Sequence, residues 1–290
     1  MNEIGLEEGA VLELKSIMGG FHRISEWIMR LSVINVLWIL CSIPVFYLAL
    51  IALTSPSSDV LPTSLPMIAI VAPFTLFPAT AAMFTVARKW VAGEEDVSLL
   101  KTFFKGYKEN YVQSMIGGIV FILIVAIIFV NYRFYGTQGS VLRILSVFFI
   151  AFMFVIAAAA FNFFSIMVHL HMKVLQIVKN SILITIGNPI NSVVLIIGNG
   201  VILYIGLFQF TFLILFFMGS LMAVFSFWQF NRSFARIQLK QRQLEERERV
   251  KAKAGQSERT GAELTEGDGE ESAELHTGVT ADHTKSQHGG

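Results

Sequence analysis

The sequence predicts an all-α fold: a polytopic transmembrane helical bundle with interfacial amphipathic helices and a disordered C-terminal tail. Three observations predict it. The 290 residues are 54% apolar and only 15% charged, against roughly 25% charged in an ordinary soluble domain. Phe alone occurs 26 times, more apolar bulk than so few charges could cover in water. The charges are also clustered, which leaves charge-free intervals long enough to cross a bilayer. This composition sets aside both a soluble enzyme and a disordered protein. The lone Cys41 excludes an intrachain disulfide and a multi-cysteine metal site. The first apolar run is too long for a signal-peptide core, and no small-residue cleavage site follows it. The first span is therefore expected to stay in the mature protein.

Residues 1–20 form an N-terminal flank. Phe21, Ile24, Ile28 and Leu31 then recur at helical spacing, with Trp27 suited to the headgroup region. They make an interfacial helix or an extension of the first span. Residues 21–234 form the transmembrane domain. Between Arg30 and Arg88 the only charge is Asp59, flanked by Pro56, Pro62 and Pro66. This interval reads as two spans, about 31–53 and 66–87, joined by a polar turn. The charge-free stretch from Glu109 to Arg133 gives a third span at about 112–131, and that from Arg143 to His169 a fourth at about 143–168. No residue from Asn180 to Asn231 is charged. One helix of that length would reach about 78 Å, and the hydrocarbon core is only ~30 Å thick. Two spans are needed, placed at about 190–207 and 210–231, with Asn188-Pro189 opening the first and Gly206 to Gln209 as the turn. Six spans are preferred; five remain open if 190–207 is re-entrant or lies flat.

Charge bias favours six. Loop 88–111 holds Arg88, Lys89, Lys101, Lys105 and Lys108; loop 169–189 holds Lys173 and Lys179; Arg232, Arg236, Lys240 and Arg242 follow the last span. Lys15, Arg23 and Arg30 precede the first. With six spans every basic segment falls on one side, and both termini are expected in the cytoplasm. Residues 232–253 hold eight Lys/Arg and three Glu, so 235–253 reads as a basic helix held at anionic lipid. Residues 254–290 carry almost no bulky apolar side chain and are expected to be a disordered acidic tail.

Candidate chemistry is sparse. No Asp, Glu, Lys, Arg or His lies in the interior of a proposed span, which argues against proton relays and ion-coupled pumping. Neither His-Glu-x-x-His nor a phosphate-binding G-x-x-x-x-G-K-[ST] loop occurs. No catalytic residue, cofactor or metal is expected. His169 and His171 share a helix face poorly and read as solvated interfacial residues. The intramembrane polar residues are Asn35, Asn162, Asn199 and Gln209. They could line a solute path, or hydrogen-bond between helices at about 0.6 to 2 kcal/mol each; the second reading is favoured. Pro44, Pro73 and Pro78 could mark broken helices or ordinary kinks. Ser114 with Gly118, Gly219 with Ala223, and Ala157 to Ala160 put small residues where helices can approach closely.

Loop 88–111 is the densest stretch. Arg88-Lys89-Trp90 reads as an interface anchor and Gly93-Glu94-Glu95-Asp96 as an acidic turn. Val97 to Tyr111 then reads as an amphipathic helix, with Leu100, Phe103, Phe104 and Tyr107 on one side and Lys101, Lys105 and Lys108 on the other. Lys101, Phe104, Lys105 and Lys108 are the candidate docking residues, for anionic headgroups or for a cytoplasmic partner.

Asn35-Val36-Leu37-Trp38-Ile39-Leu40-Cys41-Ser42-Ile43-Pro44 resembles the first-span motif of the YesL family. Pro78-Ala79-Thr80-Ala81-Ala82-Met83-Phe84 with Gly93-Glu94-Glu95 resembles its second motif, and Phe103-Phe104 through Tyr107 to Tyr111 and Gln113-Ser114 its third. Lys179-Asn180-Ser181 resembles the lysine-asparagine pair after the fourth span. The likeness runs from about Phe21 to Phe234. It implies a multi-span bacterial membrane protein of unknown biochemical function, encoded among carbohydrate-uptake systems. An accessory or scaffolding role is then expected, beside ABC-type sugar importer subunits or a membrane sensor kinase. The alternative is an autonomous small-solute transporter or channel.

Overall fold

The computed structural model describes residues 3–55, 60–137, 139–170 and 172–282, with side chains from Gly20 to Lys253 apart from 140–142. Asp59 and His171 lie outside the described residues. Among the described residues the chain is helical throughout, with no strand.

Helix α1 (Glu3–Cys41) is continuous, so the amphipathic stretch before Arg30 is an extension of the first span. It ends because Pro44 has no N–H to give the carbonyl of Leu40. The Ser42 N–H turns instead to the carbonyl of Ile39 at 2.9 Å, and α2 (Ile43–Thr54) starts anew. The expected single span 31–53 is thus two helices. The expected span 66–87 is also broken: α3 (Val60–Val71), a 3-10 turn at Ala72–Phe74, and α4 (Leu76–Val91), bent by 48°. Pro73 and Pro78 remove the N–H groups that a straight helix would use there.

The next two spans are intact. Helix α5 (Leu99–Gly136) fuses the expected amphipathic helix to the third span, and α6 (Ser140–His169) is the fourth. Residues expected as a loop after it contain α7 (Val174–Gly187). Helix α8 (Pro189–Tyr204) runs on through a π-helical turn to Gln209 and matches the expected fifth span. The expected sixth, 210–231, is divided at Phe217 into α9 (Phe212–Phe216) and the start of α10 (Met218–Asp282). Gln229, Asn231 and Arg232 also lower the hydropathy of the second piece. By length and composition four helices can cross a membrane, or five with the bent α3–α4 pair.

The core lies around α4, which packs against α1, α5 and α6. Its small residues make this contact close: Ala79, Ala81 and Ala82 have no exposed surface. Phe84, Phe103, Phe163 and Ile166 fill the space between the helices. Elsewhere large apolar side chains face outward, among them Ile127 at 63% exposed and Val147 at 62%, as a bilayer-facing surface requires. Gly117 and Gly118 on α5 lie against the rings of Phe163 and Phe77, where any side chain would push the helices apart.

Residues Ser233–Gly290 form a second compact unit. Here α10 continues to Asp282, and from Gln238 to Lys253 every side chain is exposed. Pairs such as Glu245 with Arg249 support an exposed helix. The disorder expected for 254–290 is not found over 254–282, where Ala, Glu and Gln supply helix propensity against five glycines. Residues 283–290 lie outside the described residues.

Candidate functional site

Three of the four intramembrane polar residues join helices. Asn35 is wholly buried on α1. Its Nδ2 donates to the carbonyls of Ile214 at 2.9 Å and Leu215 at 2.7 Å. Its Oδ1 accepts from the backbone N–H of Ser220 at 3.1 Å. These are groups freed by the helix break at Phe217, so one side chain serves both sides of the break. Backbone left unpaired in hydrocarbon would cost several kcal/mol per group. Beside it, Trp38 Nε1 donates to Thr80 Oγ1 on α4 at 3.0 Å. A Cβ on Gly219 would stand 2.9 Å from the Trp38 ring. Glycine at 219 is what lets α10 approach α1.

Asn199 on α8 and Ser226 on α10 exchange hydrogen bonds at 3.0 and 3.3 Å. Asn162 on α6 donates to Thr185 Oγ1 on α7 at 2.9 Å. Gln209 is different: it is exposed at the end of the π-helical turn, so it is not a buried polar residue as expected. Sequence reasoning missed Gln229, which donates to Asn191 Oδ1 at 3.3 Å. Ser42 Oγ, at the break between α1 and α2, is buried and has no hydrogen-bond partner among the described residues.

A second polar cluster was not foreseen. Arg30, 7% exposed, lies where α1 meets the turn between α4 and α5. Its Nη1 donates to the carbonyl of Glu95 at 2.6 Å. Its Nη2 donates to Asp96 Oδ1 at 3.0 Å and to Glu26 Oε1. Trp27 and Trp90 meet edge to face at 5.5 Å beside it, and the guanidinium lies over the Trp27 ring at 5.9 Å. Gly93 has φ +89°, a left-handed conformation in which glycine carries no steric cost. That conformation lets the chain reverse so that 95 and 96 face Arg30. Arg23 and Lys89 pair with Glu95 and Glu94 at 3.4 and 3.2 Å. The sequence shows the acidic turn and the i, i+4 spacing of Glu26 and Arg30, but the pairing of Arg30 with 95 and 96 spans 65 and 66 residues.

The docking candidates do share one face. Lys101, Phe104, Lys105 and Lys108 are all exposed on the first turns of α5. The packed side differs from expectation. Phe103 is wholly buried, whereas Leu100 and Phe104 are 55% and 52% exposed. Gly106 fixes this orientation, because a Cβ there would stand 2.6 Å from Thr85 Oγ1.

Chemically, these groups can hold helices together and present charge. Among the described residues no group of three His, Cys, Asp or Glu could hold a metal ion. His169 packs near the rings of Phe227 and Phe230, at 6.2 and 6.0 Å.

Residues 31–132 match the family described as "Protein of unknown function, DUF624". The Bacillus subtilis (strain 168) protein called "Uncharacterized protein YteU" is 30% identical over 176 residues, covering 61% of this chain and 68% of the relative. The chain belongs to the DUF624 family. A second relative from the same organism, "Uncharacterized protein YesL", is 28% identical over 214 residues, 74% of this chain and 89% of its own length. A third, "Uncharacterized protein YesV", is 27% identical over 130 residues, 44% of this chain and 62% of that protein. The expected YesL-like family is therefore the right one, and it is a family of unknown function. The matched segment 31–132 takes in Asn35, the acidic turn and the cationic face of α5. No solved structure matches the chain.

Proposed function

We propose that this protein is a non-enzymatic accessory or scaffolding component of the bacterial plasma membrane, acting beside carbohydrate uptake or sensing. The observation that carries the reading is how the buried asparagines are used. Asn35, Asn162 and Asn199 are all taken up by other helices or by broken backbone. A polar lining for a solute would need some of these groups turned to a path. The carbohydrate setting comes from the family resemblance alone, and importer subunits or a sensor kinase are the partners it points to. The six-span arrangement with cytoplasmic termini belongs to this reading, with α9 and the start of α10 together making the last crossing. Its support is the basic bias of loop 88–111, of Lys173 and Lys179, and of the segment from Arg232.

The test is gentle purification from the native membrane, with mass spectrometry of what accompanies the protein. Specific recovery of importer or sensor subunits supports the reading. Recovery of the protein alone, together with sugar flux in liposomes, overturns it.

One observation favours transport instead. Among the described residues three helix breaks fall inside the expected spans, at Ser42, at 72–75 and at Phe217, and discontinuous helices can mark transporter sites. On that reading Asn35, Asn162 or Asn199 changed to Leu abolishes flux while the protein stays folded.

A further inference from the structure

We propose that the exposed face of α5 formed by Leu100, Lys101, Phe104, Lys105 and Lys108 binds the headgroups of anionic phospholipid, phosphatidylglycerol being the type ligand. The inference rests on α5 crossing the bilayer and not on the accessory role.

Length comes first. Helix α5 has 38 residues, about 57 Å at 1.5 Å per residue, against a hydrocarbon core of ~30 Å. The charge-free stretch after Glu109 fills that core. Counted from Asn110 on the same unbroken helix, Lys108 stands about 3 Å outside the core, Lys105 about 8 Å and Lys101 about 14 Å, so the outer side chains reach headgroup depth by extending back along the helix.

Orientation comes second. Helical spacing puts residues 101, 104, 105 and 108 within about 100° of arc, with 100 about 40° outside it. The helix cannot turn this arc inward. Phe103 is wholly buried on the opposite side, and Gly106 meets Thr85 with no room for a methyl group.

Charge comes third. Neighbouring cations are already engaged: Arg30 with Glu26 and Asp96, Arg23 with Glu95, and Lys89 with Glu94. On the α5 face the one ion pair among the described residues is Lys105 with Glu109, at 3.8 Å and largely exposed. The face keeps a positive excess, and Leu100 and Phe104 stand beside the lysines with half their surface open. Apolar side chains set among lysines that reach phosphate match a lipid surface. An acidic soluble partner would match the lysines and leave Leu100 and Phe104 without purpose.

The experiment uses the full chain in nanodiscs of phosphatidylcholine with 30% phosphatidylglycerol. After mild detergent extraction, retained lipid is counted by native mass spectrometry. Wild type is expected to retain phosphatidylglycerol over phosphatidylcholine, and 0.5 M salt during extraction is expected to weaken that preference. The triple variant Lys101→Gln, Lys105→Gln, Lys108→Gln loses the preference, by about fivefold per lysine replaced. Inorganic phosphate at 10 mM does not compete, which separates a lipid from a free anion as the source. Circular dichroism checks the fold, and the three single variants replace the triple if it does not fold. Equal preference in wild type and variants overturns the proposal. So does unchanged lipid retention alongside loss of a co-purifying acidic protein, which would make the face a protein-docking surface.

Discussion

Arg30 is a sharp test of how the acidic turn is held to the first helix. The perturbation is Arg30→Gln. A buried ion pair broken on one side can cost 3 to 5 kcal/mol because a charge is left buried. That upper figure does not apply here. Asp96 is 98% exposed and Glu26 39% exposed as side chains, so water rehydrates both when the guanidinium is removed. Exposed pairs of that kind are worth about 0 to 1 kcal/mol. The bond that matters is from Nη1 to the Glu95 carbonyl at 2.6 Å. Hydrogen bonds to charged groups contribute about 1.5 to 3 kcal/mol. Holding of the turn should therefore weaken by about 2 kcal/mol, or roughly thirtyfold in its local opening equilibrium. The assay is hydrogen exchange of the Glu94 and Val97 amides, which donate to the carbonyls of Lys89 and Glu95 at 3.0 Å each. Asp96→Asn is the internal comparison, with an expected effect below about 1 kcal/mol. Exchange in 92–98 unchanged by Arg30→Gln would refute the reasoning. So would an Asp96→Asn effect as large as that of Arg30→Gln, because exposure would then not rank the contacts.

Three further outcomes follow from the packing. Asn35→Leu keeps the number and branching of side-chain heavy atoms but strips three backbone groups of their partner. At about 1 to 3 kcal/mol for each unsatisfied buried group, thermal unfolding in detergent should show at least about 3 kcal/mol lost; a change below 1 would exclude the clamp. Asn162→Leu removes one bond, and Thr185 keeps its own donation to the Ser181 carbonyl at 2.7 Å. Its cost in the same assay should be near the ~0.6 kcal/mol typical between membrane helices. Gly117→Ala forces α5 from the Phe163 ring and should cost about 1 to 3 kcal/mol, whereas Gly200→Ala, with no atom within 4 Å of the new Cβ, should be neutral or stabilising by up to about 1 kcal/mol. Equal melting temperatures for the two variants would contradict that contact.

The reach of the sequence can be judged from particular elements. Charge-free intervals located α5, α6 and the stretch 189–209, because lipid excludes charge over a fixed thickness and the limits appear as Arg, Lys and Glu. The breaks were harder. Hydropathy runs unbroken through Ser42 and Phe217, so a window of apolar residues cannot register them. Pro44 and Pro73 carried the signal for two of the breaks, as missing N–H groups. Phe217 carries none, and its freed groups are met by Asn35, some 180 residues away in sequence. Helix α7 was legible and missed: Leu175, Ile177, Val178, Ile182 and Ile184 are apolar, but Lys173 and Lys179 drew the segment into a loop. On α5 the lysines are exposed, and Leu100 and Phe104, grouped with Phe103 and Tyr107 on the apolar side of an interfacial helix, stand half exposed beside them while Phe103 is buried; an apolar side is read as a packed side by default. At a membrane surface that default fails, since lipid is as good a partner as protein for an apolar side chain.

The same solvent argument explains why a chain so poor in charge keeps these few polar residues in its spans. In water a broken helix finds new hydrogen-bond partners at once. In hydrocarbon it finds none, so the freed groups at a break are met by local re-pairing of the backbone or by a side chain from elsewhere. Asn35 does this for the Phe217 break. Ser42 lies at another break with its hydroxyl buried and, among the described residues, unpaired. The three breaks are therefore not equally secured: the one at Phe217 is tied across to α1 by three bonds, and the one at Ser42 has no side-chain bond of its own. If the protein moves as it works, the α1–α2 junction should move before the α9–α10 junction. Cysteine accessibility separates the two in a variant lacking Cys41. Faster labelling at Ser42→Cys than at Ser220→Cys agrees with this order, and the reverse ranking would place the mobile element at Phe217 despite its clamp.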